Sequence, residues 1–347
     1  MSLQFGVGFG QDQDVHNIAE YCCRAEELGY AHATMIDMGA LGQEVNVMMT
    51  VAALGTGRIH IGHGVTNPAT YHPGAIANAT ASLRELTDNR AFVGIGAGGP
   101  YGQYLKKGVL MTELREAVKF IQDYSAGREG TWQGGSWHSE WIRNSKWVGQ
   151  SVPVYVAVAG PKTCQIAGEF ADAVFTIGMD PELQKWRMEQ IEKGAEKAGR
   201  DPKQIDIWIR TQCYLADSKE ASKQELEPYA ATCTWEFFQI LKRETPAVSD
   251  LRKRIERRHP GILEEFRQIF EHWDPYWTER IGGPQTKFVS QRVIDFFLAT
   301  GQPDQVSEQI EALRPLGIKG ISAVMFSIQD DLAMLERLAK EVMPRFG

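Results

Sequence analysis

The chain has 347 residues, 43% of them hydrophobic, and a formal net charge of −7. That is enough apolar material for a sizeable core, and no basic stripe suggests a nucleic-acid partner. No 20-residue apolar span and no basic-then-apolar leader is present, so neither a membrane segment nor a secretory signal is expected.

From the amino terminus, short apolar runs alternate with helical patterns. Residues 4–10 (QFGVGFG) read as a first strand. Val15, Ile18, Ala19, Cys22 and Ala25 then share one helical face, and Gly29 stands where that helix should stop. Residues 33–38 (ATMIDM) are a second predicted strand, followed by a helix over about 44–54. Residues 59–65 (IHIGHGV) are the third. Its helix opens at Pro73, whose fixed φ suits a first turn, and should carry Ile76, Ala79, Leu83 and Leu86 inward. Residues 90–96 (RAFVGIG) form the fourth strand, with a helix over about 111–124. Residues 152–160 and 172–178 form the fifth and sixth, each followed by a helix. Residues 205–215 are the seventh and 321–327 the eighth, and Leu332, Leu335, Leu338 and Val342 mark a closing helix.

Eight strands alternating with helices fit a (β/α)8 TIM barrel, an α/β fold, better than an open doubly wound sheet. The stretch from about 216 to 302 breaks the rhythm. It is charged, helical in pattern and aromatic near EHWDPYW at 271–277. It reads as a helical insertion between strands 7 and 8 of a single domain spanning 1–347, either a solvated elaboration, a substrate lid or a subunit contact.

The fourth strand runs into Gly94-x-Gly96-x-x-Gly99, the glycine spacing of a dinucleotide fingerprint. A working fingerprint lies between the first strand and the first helix, with its third glycine inside that helix. Here Gly94 falls within a fourth strand, and the next helical pattern starts only near Met111. A barrel accounts for the glycines better: small residues let crowded strands approach and leave room at the carboxyl ends, where barrel enzymes place their sites. The turn AGPKT at 159–163 has its own rationale. A strand ends at Gly160, Pro161 opens a helix, and the free N–H groups there form a ready anion site.

Other chemistry is thin. His60 and His63 lie three apart on a strand and so point to opposite faces, which rules them out as a metal pair and leaves His63 as the one to face a site. Only Asp37, His63 and His72 stand near strand ends, too few for a metal centre. His72, just before Pro73, is a candidate for proton handling or for capping the helix. The five cysteines, Cys22, Cys23, Cys164, Cys213 and Cys233, contain no C-x-x-C and read as reduced thiols of a cytoplasmic protein. No G-x-S-x-G elbow occurs, and no lysine falls in a barrel strand, which argues against a Schiff-base aldolase.

Residues 62–99 (GHGVTNPATYHPGAIANATASLRELTDNRAFVGIGAGG) and 153–178 (PVYVAVAGPKTCQIAGEFADAVFTIG) resemble the bacterial luciferase-like family of flavin- and deazaflavin-dependent oxidoreductases. Within it they are most similar to the methylenetetrahydromethanopterin reductase-like branch. The likeness runs through most of 3–200, returns near 318–345 and leaves the insertion outside. It implies a (β/α)8 barrel that binds FMN or coenzyme F-420 at the carboxyl ends of its strands. It implies hydride transfer or monooxygenation of a small organic substrate, and association through barrel helices into a homodimer or higher homo-oligomer. A barrel that binds flavin without turnover is the alternative.

Carried over residue by residue, the resemblance implies a backbone bulge at Gly64, Val65, Thr66 and Asn67, often with a non-prolyl cis peptide, that backs the ring. Thr66 and Asn67 match positions facing the ring, and Asp37 a polar position near it. Gly98 and Gly99 would leave space beside it. After strand five, Ala157, Ala159, Gly160, Pro161, Lys162 and Thr163 would approach the cofactor, its side chain and phosphate. After strand six, Ile177, Gly178 and Met179 would do the same. His72, His63 or Asp37 would supply the catalytic proton. One departure stands out: where reductases of that branch carry a carboxylate on the first strand, FGVGFG has Gly8. That separates cofactor binding from the specific methanopterin reaction.

Overall fold

The computed structural model describes residues 2–10, 13–39, 42–98, 109–128, 151–277, 280–325 and 330–347. Its strands are β1 (Gln4–Phe9), β2 (His32–Met35), β3 (His60–His63), β4 (Ala91–Ile95), β5 (Val154–Val158), β6 (Ala173–Ile177), β7 (Asp206–Leu215), β8 (Ala299–Gly301) and β9 (Gly320–Met325). β1 to β6 pair in sequence, β6 pairs with β7, β7 with β9, and β9 with β1. Every pair is parallel, so eight strands close on themselves as a (β/α)8 barrel. β8 lies outside the ring, paired only with Cys213–Leu215 at the far end of β7.

Around the barrel run α1 (Ile18–Glu27), α2 (Val45–Leu54), α3 (Pro73–Leu86), α4 (Met111–Ser125), α5 (Pro161–Phe170) and α6 (Pro181–Lys197). Between β7 and β8 come α7 (Lys219–Leu241), α8 (Pro246–Arg258), α9 (Ile262–Glu271) and α10 (Gln291–Phe297). α11 (Pro303–Glu311) and α12 (Asp331–Glu341) flank β9. The inserted stretch is therefore not purely helical, since β8 extends the ladder of β7. The α3 reading also needs one correction. Ile76, Ala77, Thr80, Ala81 and Leu83 are buried, but Leu86 is 53% exposed. At 100° per residue Leu86 stands about 80° away from Ile76, on the solvent side of the stripe.

Strand alternation sorts the side chains into two interiors. On β1, Phe5, Val7 and Phe9 face the helices and are buried, while Gly6 and Gly8 face the barrel axis. On β5, Val154, Val156 and Val158 are buried beneath helices, whereas Tyr155 and Ala157 face the axis and are half-buried. The lower part of the axis is filled by Phe92, Ala173, Phe175 and Trp208, with Tyr155 against them. Phe92 stacks on Tyr155 at 4.3 Å between centroids, and His32 meets Trp208 edge-on at 4.4 Å. Each such buried ring contributes roughly 1.5–3 kcal/mol by area alone. A β-carbon on Gly6 or Gly62 would run into the rings of His32 and Phe92, so glycine is required at both positions. Burial pushes the His32 imidazole down to about 3, which keeps it neutral.

The insertion has its own apolar core, built from Phe237, Phe266, Phe296 and Phe297 and joined by Leu183 and Trp186 of α6. The five cysteines are free, four of them buried. No helix among the described residues is long and apolar enough to cross a membrane.

Candidate active site

Above the aromatic floor, the same strands change character. The next inward positions include Gly8, Thr34, Gly64, Gly96, Ala157 and Ala159, small residues in place of rings. Val65, Ala97, Gly98, Ala157, Ala159 and Ile177 are half-buried, the mark of walls reached by solvent. Gly99 lies outside the described residues.

In this layer stands Arg210, two residues above Trp208 on β7 and 6% exposed. Its Nη1 donates to Thr34 Oγ1 at 3.3 Å, and the guanidinium lies 5.2 Å from the Phe175 ring centroid. β-Carbons on Gly8 and Gly64 would fall 2.9 and 2.6 Å from its nitrogens, so the side chain occupies space those glycines vacate. No carboxylate among the described residues pairs with it. Burial holds the guanidinium below its ordinary value, and Tyr229 of α7 is the one group that opposes this. A buried cation without a counter-charge costs several kcal/mol, which marks a place awaiting negative charge. Sequence reasoning missed this residue, although its signal was present. In WIRTQ the alternation sets Arg210 on the same inward face as Trp208.

The bulge after β3 is present over 64–67, and its Gly64–Val65 peptide is cis. Thr66 N–H donates to the Gly94 carbonyl and Gly96 N–H to the Thr66 carbonyl, both at 2.9 Å. A β-carbon on Gly94 would collide with the His63 carbonyl, and one on Gly96 would press on Val65 and Ala157 at 3.1 and 3.2 Å. The fingerprint-like glycines therefore serve close contact between β3, β4 and β5. The bulge turns Val65 toward the axis, where it packs with the floor aromatics.

Thr66 and Asn67 behave differently from their expected ring-facing role. Thr66 is fully buried and its hydroxyl donates to Asp37 Oδ2 at 2.6 Å. Asp37 also accepts from Thr70 Oγ1 at 2.9 Å and from Gly39 N–H at 2.8 Å, so both its oxygens are engaged. Asn67 Oδ1 accepts from the Ala69 and Thr70 N–H groups at 3.0 and 3.1 Å, an Asx turn, with its side chain beside Gly98. These three residues brace the bulge from behind.

The histidines fall outside the axis. His63 is 1% exposed, with Nε2 3.2 Å from Asn46 Oδ1 of α2 and Nδ1 without a partner among the described residues. Gly62 faces the axis, so His63 must face the helices. Burial pushes its imidazole down to about 4. His72 is exposed and caps α3, its Nδ1 accepting from Gly74 N–H at 3.0 Å, with its ring edge-on to Phe120 of α4. His63 is thus turned from the axis, and His72 stands at the amino end of α3.

Two strand-to-helix turns that look alike in sequence differ here. After β5, Gly160 and Pro161 start α5, and Lys162 is exposed in its first turn. The buried Thr163 hydroxyl accepts from the N–H groups of Ala159 and Gly160 at 3.0 and 3.2 Å, leaving the first helical N–H groups for another acceptor. After β6, Gly178 adopts φ +107°, and the Met179 and Asp180 N–H groups both donate to the Phe296 carbonyl of α10. Met179 is 3% exposed. Of the two expected anion turns, the second is closed by the insertion.

The insertion also roofs the mouth. Ile240 of α7 lies over Gly160, 3.3 Å from where a β-carbon would stand. Phe237 lies over the Arg187 guanidinium of α6, which in turn donates to the Ala159 and Ile177 carbonyls at the ends of β5 and β6.

The family model described as luciferase-like monooxygenase matches residues 2–320. A 5,10-methylenetetrahydromethanopterin reductase of Archaeoglobus fulgidus is 27% identical over 347 residues, covering 99% of each chain. Among solved structures, the coenzyme F-420-dependent tetrahydromethanopterin reductase of Methanopyrus kandleri superposes with TM-score 0.78 at 23% identity over 100% of both chains. The oxygenating constituent of 3,6-diketocamphane monooxygenase of Pseudomonas putida, in complex with FMN, gives TM-score 0.66 at 19% identity over 100% of this chain and 99% of that one.

Proposed function

This chain belongs to the luciferase-like monooxygenase family, and from that premise we propose an oxidoreductase that exchanges a hydride between coenzyme F-420 and a small organic substrate. The observation that carries the reading is Arg210, a buried cation without a carboxylate partner among the described residues, beside the small half-buried residues that wall the barrel's carboxyl ends. A flat, anion-prone ring system fits that combination of small wall residues and positive charge. The deazaflavin is favoured over FMN by the F-420-dependent glucose-6-phosphate dehydrogenase of Microbacterium testaceum, 29% identical over 59% of this chain, and by the F-420-dependent reductase that shares the fold. A second reading, FMN and monooxygenation, draws support from the FMN-bound monooxygenase that shares the fold. A barrel that binds the ring without turnover is the remaining alternative.

When bound, the deazaflavin supplies a carbon that gives or takes a hydride. The chain's own groups do the rest. Val65, held by the bulge, and Gly98, Ala157 and Ala159 wall the space for the ring. Asp37, Thr66 and Asn67 keep the bulge in place from behind. Arg210 sets its charge against the negative charge the ring system carries, and the aromatic floor keeps water out from below. The first N–H groups of α5, with Lys162 beside them, suit the cofactor's phosphate. Val47 and Leu54 of α2, 52% and 69% exposed, and the exposed Leu86 of α3 support pairing of copies through barrel helices. The insertion's apolar core runs into α6, which supports one folding unit over 1–347.

Absorbance titration of the purified protein with F-420 and with FMN tests the reading. Binding of F-420 with the greater affinity is expected, and neither cofactor binding would sink it.

A further inference from the structure

The sequence lacks a carboxylate on the first strand, and Asp37, His63 and His72 are all turned to other work. A hydride transfer to or from a polar bond still needs a proton donor or acceptor. The insertion holds one candidate. On α7, Tyr229, Glu236 and Ile240 fall within about 40° of one another at 100° per residue, so they share a face. Ile240 places one end of that face, packing on Gly160 at the end of β5, and Tyr229 at the other end packs against the insertion core. Glu236 lies one turn before Ile240. Of its neighbours, Phe237 lies over Arg187 beside the strand ends and Trp235 stacks on Trp273 at 5.3 Å.

We infer that Glu236, reached by the substrate across the barrel mouth, exchanges the proton that accompanies hydride transfer, an assignment that rests on the proposed hydride chemistry. In the reducing direction the carbon of a C=O or C=N bond takes a hydride from the reduced cofactor, which loses two electrons. The π pair moves to the heteroatom, the Glu236 O–H bond breaks and the new heteroatom–hydrogen bond forms. The substrate gains two hydrogens, and Glu236 is left as a carboxylate that water reprotonates. Oxidation of an alcohol or amine runs the same steps backward. The substrate class is thus a small carbonyl, imine, alcohol or amine.

The setting suits that role. Burial alone pushes the Glu236 carboxyl up to about 7, although its side chain is only half-buried, as expected of a group in a deep concavity. Several charged groups on the elements packed against α7 pair with one another, and Arg258 of α8 pairs with Asp180. Lys219 pairs with Asp295 of α10, and Arg292 of α10 with Glu265 of α9. Arg267 pairs with Glu264 and Glu271 within α9. Arg252 of α8 pairs with Glu244, and Arg254 of α8 with Glu182 and Glu189 of α6. Among the inward groups, Arg187 is bonded to strand-end carbonyls and Arg210 to Thr34.

The test is carbon-13 NMR of glutamate carboxyls in the full chain, free and with F-420 or FMN, on wild type and Glu236→Gln. One carboxyl should titrate near 7, vanish in the Gln variant and shift by half a pH unit or more when either cofactor binds. The Gln variant should bind the cofactor within threefold of wild type, because Glu236 serves the substrate side. Its melting temperature should exceed that of wild type at pH 8 and match it at pH 4. A Glu236 signal titrating near the ordinary 4.5, or one unmoved by a cofactor that does bind, overturns the inference alone. No binding of either cofactor by wild type overturns the proposed function and the inference together.

Discussion

The floor and the mouth of the barrel are built by the same eight strands, one inward layer apart, and they obey opposite rules. In the floor, Phe92, Tyr155, Phe175 and Trp208 fill the axis, and glycines at 6 and 62 exist to admit neighbouring rings. In the mouth, Gly8 and Gly64 admit a guanidinium, Gly96 and Ala157 lie against Val65, and no carboxylate among the described residues pairs with Arg210. The difference teaches how to tell a packing glycine from a site glycine. Both are explained by what would meet a β-carbon, but around Arg210 the tenant is a cation that no carboxylate among the described residues pairs with.

Substitutions in the two layers should therefore break different properties. The largest effect is expected in the floor: Trp208→Ala should lower stability by about 3–5 kcal/mol in urea unfolding, through lost burial and an unfilled cavity. The fraction that stays folded should bind cofactor normally. In the mouth, Arg210→Met should reverse the pattern, lowering F-420 affinity about 10- to 100-fold, or about 1.4–2.8 kcal/mol. Its stability should stay equal to wild type or rise, since a buried unpaired charge is replaced by an apolar chain of similar length.

Acid sharpens the same contrast. His32 in the floor and His63 under α2 have imidazoles lowered to about 3 and about 4, against an unfolded value near 6.5. The unfolded chain binds the extra protons, so this stability is fully present above pH 6.5. It declines as pH falls toward 4, by about 1.4 kcal/mol per pH unit for each histidine. Urea midpoints at pH 7 and pH 5 check this, and His63→Asn should flatten the slope by one histidine's share. The smallest effect is expected at the rim, where the exposed Lys162→Ala should weaken cofactor binding no more than threefold in the same titration.

Much of this division could be read from sequence because period-2 alternation and glycine placement are local signals. All eight barrel strands, the rejection of the dinucleotide reading at Gly94 and the bulge at Gly64–Asn67 came from short stretches or from resemblance. The phase of β3 was not legible: whether Gly62 or His63 faces the axis depends on Phe92, a residue from another strand. Asp37 was placed near the ring, and its service to Thr66 and Thr70 required the fold. The turn at Gly178 looked as open as the one at Gly160, because its occupant, the Phe296 carbonyl, comes from the inserted helices. Arg210 was legible in principle, as an inward arginine on a barrel strand. It lies in the middle of β7 and not at a strand end, where barrel sites are expected.

The central claim is that the layer around Arg210 receives an anion-prone ring. Titration of wild type and Arg210→Met with F-420, followed by absorbance, tests it most directly. The account predicts saturable binding by wild type and at least tenfold weaker binding by a variant that unfolds at the same or higher urea concentration. Equal affinity in the two proteins would contradict it.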